Sequence, residues 1–360
     1  MRGLLDLATG CYPSFLFGGP VSALLPVFHL HESDPAVLES RLAYAADNGY
    51  RTVTTDAIAR FVLEGVHPGP RTVALCFDDC WATLWTLAGP LLRRYGMSAI
   101  GFAIPGRVTD AAGVRPTIEE QPESAVAADW SDVPFATWPE LRSLQASGLM
   151  DIQSHTCSHS AIFAGPQIVD FVTPEFVRRP LLNRPRASAG LDRPWLTPED
   201  LGAPLHVQRS RMSDALRFLD DEAPRARCIR HVAESGGSGF FERPRWRAEL
   251  TAIASGGRGR FETATDREHE ILEELHKGRS MLEARLGTCV RHVCLPWGIA
   301  GHETHRALAR TGHQLAFADR LFGRRAVAAG DNPHALMRLH ERFLSCLPGR
   351  GRRWFGTAKS

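Results

Sequence analysis

Short apolar runs alternate with longer segments of helical periodicity through much of the chain. The runs 22–30, 51–55, 72–77, 98–104, 149–154, 291–296 and 313–318 have the length and apolar content of buried strands. Between them, the segments 35–49, 81–96, 137–148, 265–287 and 302–312 read as helices. They close on Gly49, Gly96, Gly148, Gly287 and Gly312, where a helix C-terminus favours a residue free to turn left-handed. This strand-helix-strand rhythm predicts an α/β fold with a parallel sheet, either a barrel or an open doubly wound sheet.

The rhythm breaks between about 160 and 262. There the chain turns rich in Pro and Arg ("FVRRPLLNRPRASAGLDRPWLTPEDLGAP") and then in Gly ("ESGGSGFFERPRW", "ASGGRGR"). So long a departure is expected to be an insertion with its own small structure, or a lid. The expected organisation is a first catalytic part at 1–160, an insertion at 161–262, a second catalytic part at 263–345 and a basic tail at 346–360.

Composition narrows the partners. The 360 residues include 42 Lys and Arg against 40 Asp and Glu, a formal net charge of +2, so no global field favours nucleic acid. No apolar stretch reaches the length of a membrane span. The opening apolar run is interrupted by Asp6 and lacks a small-residue cleavage site, which reads against a secretory signal. Eight scattered cysteines with no C-x-x-C pair are expected to be reduced thiols, and a cytoplasmic setting follows as an expectation.

Candidate chemistry falls at the ends of the predicted strands, where parallel α/β folds gather functional groups. Asp78 and Asp79 end "VALCFDD", His155 and His159 follow "MDIQS", and "LPWG" follows "RHVC". Taken singly, paired aspartates also suit a helix cap and an H-x-x-x-H pair suits an exposed helix face. Together, one carboxylate and two imidazoles are a ligand set for a divalent cation with a position left open for water.

These motifs resemble those of the NodB-homology polysaccharide deacetylases, carbohydrate esterase family 4, and in particular the exopolysaccharide N-deacetylase branch. "CFDDC" is similar to the family's T-F-D-D-G, "HTCSH" to its H-[ST]-x-x-H, and "LPWG" to its aromatic-Pro-aromatic-Gly; "PVFHLH" is similar to that branch's P-V-L-M-Y-H strand. The resemblance covers about 21–160 and 265–345, outside the insertion.

It implies a distorted (β/α) barrel of the polysaccharide deacetylase type with a long insertion, acting as a hydrolase that removes N-acetyl groups from an acetamido sugar or glycoconjugate. By matching position, Asp79, His155 and His159 would hold the metal, with zinc the best fit and cobalt, nickel or manganese as alternatives. Asp78 would be the general base taking a proton from water activated at the metal. The late histidine that protonates the departing amine matches His340, with His302, His305 and His313 as alternatives. His31, Pro296, Trp297 and Gly298 would line the substrate site, although Trp297 suits core packing equally well.

Two departures stand out. Cys80 occupies the family's glycine position, and the arginine that many members place before the third motif is replaced by Cys294 and Leu295. Other readings keep the machinery but change the substrate to a lipid-linked sugar, an ester or a non-sugar amide, or retain only carbohydrate binding.

Overall fold

The computed structural model describes residues 10–31, 34–178, 182, 185, 196–320 and 323–356. The chain divides into two compact units. The first comprises Met1–Ser158, Glu273–Ala300 and His305–Ser360, and the second His159–Leu272 with Gly301–Thr304.

In chain order, β1 (Val27–Leu30), β2 (Arg51–Thr52), β3 (Thr72–Asp79), β4 (Ala99–Ala103) and β5 (Met150–Ser154) build the first unit. The second unit follows with β6 (Ala161–Phe171), β7 (Pro204–Ser210), β8 (Phe218–Leu219) and β9 (Arg260–Phe261). The first unit resumes with β10 (His292–Cys294), β11 (Leu315–Phe317) and β12 (Leu339–His340). Four of the predicted helices form, as α1 (Pro35–Asp47), α3 (Trp138–Ala146), α4 (Ala264–Leu286) and α5 (His302–Arg310), and α2 (Thr55–Glu64) is a further helix that was not predicted. Asp34 caps α1 by accepting from the Ala36 and Val37 N–H groups at 2.9 and 3.3 Å, with Pro35 at the first helical position where no N–H is needed.

The strand order is β11-β10-β5-β4-β3-β1-β12, with β2 also paired to β3. Every pairing in this sheet is parallel. Its two edges nearly meet through one segment: Leu336 bridges Phe317 at the end of β11, while Leu339 and His340 pair with Phe28 and His29 of β1. Residues 336–340 thereby curl the sheet into a distorted barrel.

The two faces of the sheet bury different residues because side chains alternate along each strand. Val27, Ala74, Cys76, Ile100, Phe102, Cys294, Leu315, Phe317 and Leu336 form one cluster, together with Ile58, Phe61 and Val62 of α2. Phe28, Leu30, Val73, Leu75 and Phe77 belong to another, with Leu38 and Leu42 of α1 and Leu141 and Leu144 of α3. Val73–Cys80 is buried throughout, so β3 is covered on both faces.

The segment 81–96 differs from the single predicted helix. Leu84–Ala88 is a π-helical turn, and only Gly89–Arg94 is α-helical. Pro90 has no N–H to give the Thr86 carbonyl one turn back, and that carbonyl accepts instead from Ile118 N–H at 2.7 Å.

Within the second unit, β6 pairs antiparallel with β7 and β8 with β9. One apolar cluster gathers Phe163, Val172, Leu205 and Phe218, and another Phe171, Cys228, Phe240 and Leu250. Arg211 and Glu262, both buried, pair through Nη1 and Oε2 at 2.8 Å, so neither charge is left alone.

Candidate active site

Asp78 and Asp79 end β3 but leave it in different directions. Both keep the strand register, opposite Phe102 and Ala103 of β4. Asp79 and Cys80 then adopt left-handed backbone, with φ of 66° and 53°, which redirects the second carboxylate. Thr156, His159 and Trp297 also have positive φ, so five of the seven non-glycine residues with this backbone among those described belong to the site's motifs. Such concentrations of backbone strain are typical of functional loops.

Cys80 fits because of what faces it. A Cβ at Gly101 on β4 would come within 3.3 Å of the Cys80 Sγ, and within 3.0 and 3.1 Å of Ile152 and Met150. The missing side chain on one strand thus leaves the space that the thiol of the next fills. Burial, reinforced by Asp79 and Asp78, pushes the Cys80 thiol well above its ordinary pKa and keeps it protonated. Cys80 is a packing residue at a turn that ordinarily favours glycine.

The Asp78 carboxylate accepts two parallel hydrogen bonds from Arg338, Nη1 to Oδ1 and Nη2 to Oδ2, each 2.7 Å. Burial alone would raise its pKa, but the guanidinium beside it prevails and holds the carboxyl well below the usual carboxylate range. Arg338 Nη2 also lies 3.0 Å from Cys294 Sγ, itself 3.8 Å from Asp78 Oδ2.

His155 is held by its other ring nitrogen. Nδ1 donates to the Cys294 carbonyl at 2.7 Å, an orientation that turns Nε2 toward Asp79 Oδ1, 3.3 Å away. Trp81 Nε1–H donates to the other oxygen of Asp79 at 3.1 Å. Although burial opposes an imidazolium, the neighbouring thiol and the carboxylates of Asp79 and Asp78 raise the His155 pKa well above its ordinary value. Asp79, His155 and His159 are all buried and offer ligand atoms within 4.8 Å of one another. A buried carboxylate with two imidazoles, one fixed by a carbonyl, fits a divalent cation.

His31, exposed just beyond β1, lines a cleft of about 30 Å³ with Asp78, Phe77, Trp81 and Thr83. His340 lies on β12 beside His29, their rings 5.2 Å apart, and its Nδ1 accepts from Arg342 N–H at 3.3 Å. His29 is pushed down to about 3 by burial and then by Arg338, so it is neutral. Pro296, Trp297 and Gly298 form a turn after β10 in which Trp297 is 41% exposed. Of the alternative histidines, His313 is buried and pushed down to about 3 by burial and Arg279, while His302 begins α5.

Sequence reasoning missed Arg338. The arginine absent before "LPWG" is matched by one from β12's approach, two residues before His340. Its signal was a charged residue inside the apolar run "LMRLH".

The sequence profile of the family described as polysaccharide deacetylase matches residues 65–186. The protein named poly-beta-1,6-N-acetyl-D-glucosamine N-deacetylase from Escherichia coli (strain K12) is 28% identical over 131 residues, 36% of this chain and 18% of that protein. YxkH of Bacillus subtilis (strain 168) is 32% identical over 66 residues, 18% of this chain and 24% of that one. The chain thus spans a quarter or less of the length of these relatives. Among solved structures, the deacetylase domain of BpsB from Bordetella bronchiseptica superposes with a TM-score of 0.55 at 15% identity, covering 88% of this chain and 96% of that one. That likeness concerns the fold.

Proposed function

We propose that this chain, which the family described as polysaccharide deacetylase matches over residues 65–186, is a metal-dependent hydrolase removing N-acetyl groups from an acetamido-sugar glycan. The observation that carries the reading is the Asp78–Arg338 pair beside the Asp79, His155 and His159 donors. A binding module has no use for a buried carboxylate kept ionised next to a cation site.

Asp79, His155 and His159 would hold the cation. When bound, a divalent ion supplies Lewis acidity, polarising an acyl carbonyl and lowering the pKa of water, and zinc suits this donor set. Asp78 accepts the proton of the attacking water. Arg338 makes it available by keeping it ionised.

A departing amine needs a proton before it can leave. Geometry favours His31 over His340 for that role, because His31 shares the cleft with Asp78 and Trp81, whereas His340 is turned to Arg342 N–H and Glu341. The exposed Trp297 offers an apolar face for a sugar ring.

Acetate release from β-1,6-linked N-acetylglucosamine oligomers is the direct test, a substrate suggested by the name of the similar Escherichia coli protein. Release abolished in Asp78→Asn with metal content unchanged supports the reading. No acetate from this or other N-acetylated glycans, despite bound metal, would overturn it in favour of sugar binding or a different acyl substrate.

A further inference from the structure

A second group of nitrogen and carboxylate donors lies where β1 and β12 run side by side. His29 and His31 are two residues apart, so along the strand direction their side chains leave on the same face. Their Nδ1 atoms are 3.4 Å apart and their rings meet edge to face at 5.3 Å. Two ring nitrogens so placed cannot both carry a proton on the line between them, so at least one presents a lone pair.

The parallel register sets His29 opposite His340, and the next residue, Glu341, brings a buried carboxylate to the same place. Ligand atoms of His29, His31 and Glu341 lie within 4.8 Å of one another. Arg41 Nη1 and His340 Nδ1 lie 3.7 and 3.2 Å from Glu341 Oε1, so a cation drawing on this carboxylate would compete with those contacts. His31 is exposed, so solvent reaches the group from the cleft side.

We propose that His29, His31 and Glu341 form a second divalent-cation site, distinct from the Asp79, His155 and His159 donors. Two imidazoles and one carboxylate with an open side favour zinc or another borderline cation over magnesium or calcium, which take oxygen ligands. The inference deepens the functional reading above and rests on it in one respect. A cation here would engage His31, the proton donor of that reading, and so compete with catalysis when the cation is in excess.

The test counts zinc directly. Full-length protein is dialysed against a series of zinc concentrations, and bound metal is measured per chain. Wild type should take up two ions, Glu341→Gln and His29→Gln one each, Asp79→Ala one, and the Asp79→Ala, Glu341→Gln double variant none. The ion retained by Glu341→Gln also verifies that this variant is folded. A single ion in wild type, or two in both Glu341→Gln and His29→Gln, would overturn the proposal. Failure of the deacetylase reading would show as absent acetate release and would leave these counts unchanged.

Discussion

Arg338 grips both oxygens of Asp78 across 260 positions of sequence. This pair, more than the aspartate doublet itself, explains how a buried carboxylate beside a second one stays charged. Removing the arginine outright would leave an uncompensated buried charge, a loss of about 3–5 kcal/mol. The conservative change is therefore the informative one.

In Arg338→Lys, the charge remains but the two-pronged grip is lost. Burial, which raises the Asp78 pKa, is then less well opposed. Asp78 must be ionised to accept a proton, so its rising pKa removes active enzyme from the acid side. The acid limb of kcat/KM should move to higher pH, with the alkaline limb unchanged. A profile that falls uniformly at all pH values would show that Arg338 acts only on folding.

The two histidines separate by leaving group. His31→Gln should lower turnover of an N-acetyl substrate by about 10²–10⁴-fold, the usual range for general acid catalysis. The loss should shrink for an aryl acetate ester, whose leaving group needs no proton. His340→Gln should change either rate by less than about tenfold. Reversed effects would return the proton donor to His340.

Chelation should abolish acetate release, and zinc should restore it. Asp79→Ala and His155→Ala should not recover at the same zinc concentration, because each removes one donor of the set. Full activity after exhaustive chelation would refute metal dependence.

Cys80 and Gly101 should behave as a packed pair. Gly101→Ala places a Cβ 3.0–3.3 Å from Ile152, Met150 and Cys80 and should destabilise by about 1–3 kcal/mol in urea unfolding. Cys80→Gly relieves the strain of φ 53° but leaves a small void, so its net effect should stay within about 1 kcal/mol. Cys80→Val should be worse than either, since a β-branched residue resists positive φ. Combining Cys80→Gly with Gly101→Ala should recover part of the loss, because the void receives the added methyl group.

Much of the site could be read locally. A strand that is buried on both faces announces itself as a continuous apolar run, so β3 and its terminal aspartates were legible in "VALCFDD". The histidines of "SHTCSH" were legible for the same reason, as polar groups directly behind β5. Helix ends near Asp47, Ala146, Leu286 and Arg310 followed from glycine shortly beyond each. The π-helical turn at Leu84–Ala88 was less accessible, because the N–H that donates to the Thr86 carbonyl in place of Pro90 belongs to Ile118, in another segment.

The sequence by itself determined which residues could carry the chemistry, because residue type and strand-end position are local properties. Only the tertiary structure decided how they are shared out. Arg338 reaches Asp78 because Leu336 and Leu339 close the barrel between β11 and β1, and that closure also sets His29 beside His340. Long-range pairing of this kind depends on register between distant strands, and no periodicity within either strand encodes its partner.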